Sequence, residues 1–387
     1  MAQAVSGLNP AVLTWARERA GLSVADVARA LKKDPGIIEG WESGEGAPTY
    51  VQLETLAYKV FNRPVALFFF PDLPEEPDPA HAFRTLPEAE VDALDADTRY
   101  NIRDARALQL ALSELHGGRN PSDRKIWQDI RVGYDQPVSQ VAARVRAYLQ
   151  VDLQTQKTWR TTVDAFKEWR RSIEGAGVYV FKNTFKQRDV SGFCLYDDEF
   201  PIIYVNNSSA ASRQIFTLFH ELAHILLEVS GVTKSNDAYI DYLAGNDRRI
   251  EVLCNKFAAE FLVPDVDFRA RVGNRAPDDE FVKQLASEYK VSREVILRRF
   301  LDMERVSAEY YQERAVEWRA EYEAHADANG GGNYYATQAT YLGDRYLNLA
   351  FTRYHQGVIS VQQLADYLNI RVSSVPGLEQ FFLARAR

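Results

Sequence analysis

The residues best placed to do chemistry are His220, Glu221 and His224, which read His-Glu-x-x-His. Residues four apart on a helix lie one turn apart on the same face, so both imidazoles can reach one ion. Glu221 can lean over the remaining coordination position and take a proton from a water activated by the metal. The chain has only 6 histidines, so this spacing seldom arises by chance. The pattern predicts a hydrolytic metal site; the alternative is two histidines held by hydrogen bonds in the core.

A catalytic zinc ion usually has three protein ligands and a water, so a third ligand is needed. Glu251 is the best candidate, and Asn255 follows it by one helical turn. The amide oxygen of Asn255 could accept the free ring N–H of His220 and so fix its tautomer. Glu260, further along the same predicted helix, is the rival ligand, and spacing leaves both open. Two imidazoles and a carboxylate suit Zn2+.

Two motifs in series resemble the ImmA/IrrE family of metallopeptidases. The first is Thr217-Leu-Phe-His-Glu-Leu-Ala-His-Ile-Leu, and the second runs from Glu251 through Asn255 to Pro264. The strand and turn Pro201-Ile-Ile-Tyr-Val-Asn-Asn ahead of them is also similar. The resemblance implies a gluzincin-like site with Glu251 as the third ligand. It also implies a substrate, a helix-turn-helix repressor protein, whose cleavage derepresses phage, mobile-element or stress-response genes.

A peptidase also needs an edge strand to hold the substrate and a donor for the oxyanion. We expect Gly192–Tyr196 to be that edge strand, although it could be an interior strand of a small sheet. Tyr239 and Tyr242 lie between the two metal motifs and are candidate oxyanion donors. The chain has 20 tyrosines, so each could equally have a packing or surface role.

The N-terminal region resembles the XRE-type helix-turn-helix family over residues 8–60. The matching segments are Leu22–Leu31, Ile37–Gly44 and Pro48–Ala57. Such a domain places its recognition helix, here the segment that ends in Trp41-Glu-Ser-Gly44, in the major groove of DNA. Here the reading segment, residues 34–40, has no Lys, Arg, Asn or Gln, which are the side chains that most often address bases.

Two uses of this domain therefore remain open. Residues 1–70 carry seven basic and seven acidic side chains, so they offer no net charge for phosphates. One use is binding of operator DNA. The other is docking to a similar domain of a repressor, and the candidate residues for either contact are Ile37, Ile38, Glu39 and Trp41.

The pattern of elements predicts a mostly helical α+β protein in four segments. These are a helix-turn-helix domain at 1–70, a linker and helical connector at 71–170, a zincin-like metallopeptidase core at 171–304, and a helical C-terminal region at 305–387. Three short β-branched and aromatic runs predict the small β-sheet of the core. In the C-terminal region, Ser360 is expected to cap a helix. That region either binds a partner such as a toxin or extends the core.

Composition narrows the class of protein. The formal charge is 46 − 54 = −8, which disfavours a protein that coats nucleic acid. The two cysteines, Cys194 and Cys254, cannot build a disulfide framework. We find no signal peptide and no apolar run long enough for a bilayer, and we expect a cytoplasmic protein, which could form a homodimer. The leading function is a zinc-dependent endopeptidase, and the alternative is a DNA-binding regulator or antitoxin with a structural or inactive metal site.

Overall fold

The structure is a computed structural model that describes residues 3–76, 91, 93–234, 240, 242–326 and 332–385, with side chains left out at 323–326. The described chain divides into two compact units, one up to residue 104 and one from residue 105 onward. The fold is α+β and mostly helical, as predicted, with one small sheet. Among the described residues, no helix combines the length and the apolar character that crossing a bilayer would require.

The first unit begins with four short helices, each started by a side chain that caps it. The helices are α1 (Pro10–Arg19), α2 (Val24–Leu31), α3 (Pro35–Ser43) and α4 (Tyr50–Thr55). A π-helical turn (Leu56–Val60) and a 3-10 turn (Val65–Phe69) follow. Ser23 and Thr49 form capping boxes, and Asp34 caps α3 ahead of Pro35. These caps satisfy backbone N–H groups that lack a partner at a helix start. The core is formed by Val12, Leu13, Trp15, Val27, Ile38, Trp41, Leu53 and Phe68.

The second unit is built around a four-stranded mixed sheet. The strands are β1 (Tyr179–Asn183), β2 (Val190–Leu195), β3 (Ile202–Asn206) and β4 (Gly231–Lys234), in the order β1-β3-β2-β4. β1 runs parallel to β3, whereas β2 runs antiparallel to both β3 and β4. The prediction that Gly192–Tyr196 forms an edge strand is therefore wrong, because β2 lies between β3 and β4. The outer strand on that side is β4, which the sequence reading missed.

Helices surround this sheet and carry most of the second unit. In chain order they are α5 (Ala96–His116), which starts in the first unit, α6 (Ile126–Asp129), α7 (Val138–Leu149), α8 (Leu153–Thr158), α9 (Thr162–Gly175), α10 (Ala211–Leu226), α11 (Gly245–Leu262), α12 (Asp265–Val272), α13 (Asp279–Tyr289), α14 (Arg293–Asp302), α15 (Ala308–Ala326), α16 (Tyr334–Leu342), α17 (Asp344–His355), α18 (Val361–Tyr367) and α19 (Val375–Arg385). Ser360 caps α18 in a capping box with Gln363.

An aromatic cluster fixes the two helices that matter most for the site. Trp169 of α9 packs edge-on against Phe219 of α10, at 4.8 Å between ring centroids, and against Phe261 of α11, at 5.2 Å. Phe219 and Phe261 stack directly at 4.1 Å. Edge-to-face and offset arrangements of this kind are the favoured geometries of aromatic pairs. The cluster therefore sets the distance between α10 and α11.

Candidate metal centre

The metal motif lies on α10, a helix that is buried along most of its length. Every residue from Thr217 to Leu226 is buried. His220 and His224 are 1% and 0% exposed. Their spacing of four residues brings the two Nε2 atoms to 3.1 Å from each other. The two rings therefore face a common point, as the sequence predicts.

Glu251 of α11 completes this group. Its Oε2 lies 3.3 Å from Nε2 of His220, and its Oε1 lies 3.4 Å from Nε2 of His224. Zn–N and Zn–O bonds of about 2.0–2.1 Å at tetrahedral angles separate ligand atoms by about 3.3–3.4 Å. The imidazole nitrogens are 3.1 Å apart and each faces a different oxygen of Glu251, so the three side chains converge at separations close to those of ligands on one tetrahedral ion. Their chemistry, two imidazoles and a carboxylate, suits a divalent cation.

Asn255 fixes the orientation of one ligand. Its Oδ1 lies 2.9 Å from Nδ1 of His220. An amide oxygen only accepts, so the ring donates through Nδ1 and, when neutral, keeps a lone pair on Nε2. That lone pair points toward His224 and Glu251, so the amide holds the imidazole in the tautomer that binds a metal.

Cys254 is a second candidate for the third ligand. The thiol of Cys254 and the two imidazoles offer ligand atoms that all lie within 4.8 Å of one another. We assign Glu251 because its two oxygens lie 3.3 and 3.4 Å from the imidazole nitrogens, which are the separations of ligands that share an ion. The ionisation states agree with this choice. Burial, followed by the negative charge of Glu251, raises the pKa of the Cys254 thiol well above its ordinary value.

The carboxyl of Glu251 shows the opposite shift. Burial favours its neutral form, but the two adjacent imidazoles, His224 first, outweigh burial and lower its pKa. Glu251 is therefore the ionised donor of the pair.

Glu221 lies beside the histidines and is held by the sheet. The hydroxyl of Thr233 on β4 donates to its Oε1. The thiol of Cys194 on β2 lies close to this carboxylate and donates to the carbonyl of Val229 at 3.7 Å. Oε2 is buried and has no hydrogen-bond partner among the described residues. Burial raises the pKa of Glu221, against the lowering effect of both imidazoles and Thr233. One oxygen is thus fixed by the protein, and the other is available to a group outside it.

β4 closes this side of the site. A Cβ added at Gly231 would lie 2.6 Å from three atoms of the His224 ring, so only glycine permits this approach. His220, Glu221, His224 and Glu251 are all 1% exposed or less. All four side chains of the centre are therefore buried.

Of the remaining site predictions, Glu260 and Tyr242 do not join this centre. Glu260, the rival ligand, instead accepts from Arg299 at 2.8 Å and from the backbone N–H of Asp265. Tyr242 is 85% exposed, and Tyr239 lies outside the described residues. The oxyanion donor therefore stays a prediction.

The candidate docking residues of the first unit separate into two groups. Ile38 and Trp41 are 1% and 6% exposed and pack in the core. Ile37 is 41% exposed, and Glu39 is also exposed. Only Ile37 and Glu39 can therefore touch a partner, while Ile38 and Trp41 hold α3 in place.

Comparison with known proteins shows that the region of the metal centre is similar to a known family. Residues 173–301, which contain β1 to β4 and both metal helices, match the family described as the IrrE N-terminal-like domain of Peptidase_M78. This match supports the ImmA/IrrE family of metallopeptidases.

The chain is also similar to the radiation response metalloprotease IrrE of Deinococcus radiodurans, with 30% identity over 99 residues. The similarity covers 25% of this chain and 30% of that relative, so most of both chains lies outside it. The IrrE-like region thus supports a metallopeptidase, and the rest of the chain draws no support from these matches.

Sequence reasoning missed three residues around this metal centre: Gly231, Thr233 and Cys194. A weak signal was present, because Gly231-Val-Thr-Lys is a short run with two β-branched residues that begins soon after the metal helix ends at Leu226. The contact of Cys194 with Glu221 has no local signal, since it depends on how two strands pair.

Proposed function

We propose that this chain is a zinc-dependent endopeptidase whose substrate is a helix-turn-helix repressor protein. The observation that carries the enzymatic part is the convergence of His220, His224 and Glu251 at 3.1–3.4 Å, with Glu221 beside them. The IrrE N-terminal-like match over residues 173–301 supports the same reading. The repressor substrate rests on the resemblance of the two metal motifs to their family.

Each residue of the centre has one task in this proposal. His220, His224 and Glu251 would hold the ion, and Asn255 keeps His220 in the binding tautomer. When bound, a divalent ion supplies Lewis acidity, which polarises the scissile carbonyl and acidifies water.

Glu221 is the general base. Its raised pKa suits a carboxylate that accepts a proton from water and then gives it to the nitrogen of the leaving amine. Thr233 is a positioning residue, because its hydroxyl holds Oε1 and leaves Oε2 for proton transfer.

We infer that β4 moves to admit a substrate. The side chains of the centre are buried, and Gly231 lies directly against His224. A substrate backbone that pairs with the outer edge of the sheet would lie along β4, since β2 is interior. The proposal therefore places the substrate strand next to Thr233.

The test uses the full chain loaded with zinc and a helix-turn-helix repressor encoded beside its gene. We expect mass spectrometry to show a single cut in the repressor with the wild type and none with Glu221→Gln, which keeps the size of the side chain and the three ligands. Metal content and the melting temperature should match between the two proteins. Cleavage that persists in Glu221→Gln, or without zinc, would overturn the peptidase.

Two further measurements separate the parts of the proposal. If the chain cleaves unfolded casein but does not cut the repressor, the repressor is not the substrate, and the peptidase activity still stands. Thr233→Val should lower kcat while zinc content stays the same, and Thr233→Ser should restore it because serine keeps the hydroxyl. Equal kcat in all three proteins would show that the Thr233 hydroxyl does not position Glu221.

A further inference from the structure

A threonine hydroxyl on the metal helix is buried without a partner. Thr217 lies on α10, one turn before Glu221, and it is 0% exposed. Its Oγ1 has no hydrogen-bond partner among the described residues. A hydroxyl that is taken out of water without a new hydrogen bond destabilises the fold. The presence of a threonine at this position therefore needs an explanation beyond packing.

Other helical threonines of the chain show where such a hydroxyl ordinarily goes. A threonine inside a helix can donate to the carbonyl four residues back in its own helix. Four threonines on α1, α4 and α16 do so at 2.8–3.2 Å, and they are Thr14, Thr55, Thr337 and Thr340. Thr217 makes no such bond to the carbonyl of Arg213. Its hydroxyl is therefore not used by its own helix.

Strand β2 packs against the other branch of the Thr217 side chain. A Cβ added at Gly192 would lie 2.7 Å from Cγ2 of Thr217, so the backbone of β2 lies directly against this methyl group. Because the Cβ of threonine is branched, the position of the methyl group also fixes the position of the hydroxyl. The hydroxyl of Thr217 is therefore held in one place.

The same pair of strands holds Glu221. Gly192 pairs with Thr233 across β2 and β4, and the hydroxyl of Thr233 donates to Oε1 of Glu221. Thr217 and Glu221 are four residues apart on α10, so their side chains are neighbours on one face of the helix. Oε2 of Glu221 is also buried and has no partner among the described residues. A hydroxyl that can donate and a carboxylate oxygen that can accept thus lie one turn apart.

We propose that Thr217 and Glu221 hold one water between them, with the hydroxyl of Thr217 donating to the water and the water donating to Oε2 of Glu221. A buried water needs at least two polar partners, and these are two that the protein itself leaves unused. The contact links adjacent turns of one helix, so it needs no movement of α10.

The role of this water rests on the proposed function. In that reaction an O–H bond of the water breaks, Oε2 gains the proton, and the water oxygen attacks the scissile carbonyl. Thr217 keeps its own proton throughout. It is a positioning residue, because it turns the water so that the proton to be lost faces Oε2.

A crystal structure of the zinc-loaded full chain tests the contact without any need for activity. We expect a water about 2.7–3.2 Å from both Oγ1 of Thr217 and Oε2 of Glu221. The water should be lost in Thr217→Val, in which a methyl group replaces the hydroxyl. Density without this water would overturn the inference, and so would a hydrogen bond from Oγ1 directly to Oε2 or to the carbonyl of Arg213.

Kinetics separate positioning from support of the fold. With unfolded casein and the repressor as substrates, Thr217→Val should lower kcat about tenfold, while KM and zinc content stay the same. Thr217→Ser should restore kcat because serine keeps the hydroxyl. The matched control is Thr340→Val, which removes a hydroxyl that donates to the carbonyl of Ala336 in its own helix, and its kcat should equal that of the wild type.

Two kinetic results would contradict the role of Thr217. One is a wild-type kcat in Thr217→Val, and the other is an equal loss in Thr217→Val and Thr217→Ser. If the wild type cuts neither substrate, the proposed function fails, and the crystal structure alone decides whether Thr217 and Glu221 share a water.

Discussion

Oδ1 of Asn255 lies 2.9 Å from Nδ1 of His220, and it joins the second metal motif to the first. The two residues lie 35 positions apart on α10 and α11. Through this contact the amide selects the tautomer of an imidazole whose other nitrogen faces Glu251 at 3.3 Å. The metal affinity of the centre should therefore depend on a side chain that does not touch the ion.

Asn255→Ala removes the acceptor for the His220 ring. We expect zinc affinity, measured by competition with a chelator, to fall by about 10–100-fold. Asn255→Asp keeps an oxygen at the same position and should retain affinity near that of the wild type. If alanine and aspartate bind zinc as tightly as asparagine does, the amide has no orienting role.

Gly231→Ala places a methyl group 2.6 Å from the ring of His224. The ring or β4 must then shift, and overpacking of this kind costs about 1–3 kcal/mol. We expect the variant to lose both zinc affinity and stability to urea. Gly175→Ala is the matched control, because a Cβ at the end of α9 meets nothing within 4 Å. A Gly231→Ala protein that binds zinc normally would show that β4 does not press on the centre.

Lys182 makes the stability of the fold depend on pH. Burial, together with the charges of Arg170 and Lys167, lowers its pKa to about 7. Its Nζ donates to Gln214 at 2.6 Å and lies 3.6 Å from the centre of the Phe166 ring. An unfolded lysine titrates near 10.4. Between about pH 7 and pH 10 the unfolded chain therefore binds more protons than the folded chain.

The free energy of unfolding should accordingly rise with pH through this window, by at most about 1.4 kcal/mol per pH unit from this group. Lys182→Met removes the titrating amine and keeps the length of the side chain. We expect the difference in stability between wild type and variant, from urea unfolding at several pH values, to shift in favour of the wild type as pH rises. A difference that stays constant with pH would contradict the lowered pKa.

The sequence was sufficient for the parts of the centre that follow from helical spacing. His220 and His224 share a face because they are four apart on one helix. Glu251 and Glu260 are nine residues apart, about 13 Å along the same helix, so both cannot serve one ion. Spacing alone did not say which of them faces α10. That choice depends on how α11 packs through Phe261 against Phe219.

The sheet around the centre could not be read in the same way. The position of β2 between β3 and β4 follows from pairing between distant segments, and a strand's own residues do not specify its neighbours. β4 has only four residues, so its pattern is too short to stand out. Because β4 and its pairing with β2 were not predicted, the contacts of Thr233 and Cys194 with Glu221 could not be predicted either. Glu251 and Cys254 are the two candidates for the third ligand, and an experiment on the loaded chain can distinguish them.

X-ray absorption of the zinc-loaded chain tests the central claim most directly, with Glu251→Gln and Cys254→Ala measured beside the wild type. We predict one zinc per chain, with only nitrogen and oxygen atoms bound to it. The zinc should be lost in Glu251→Gln and retained in Cys254→Ala. A sulfur neighbour at about 2.3 Å, or zinc retained in Glu251→Gln and lost in Cys254→Ala, would contradict the assignment of His220, His224 and Glu251 as the metal ligands.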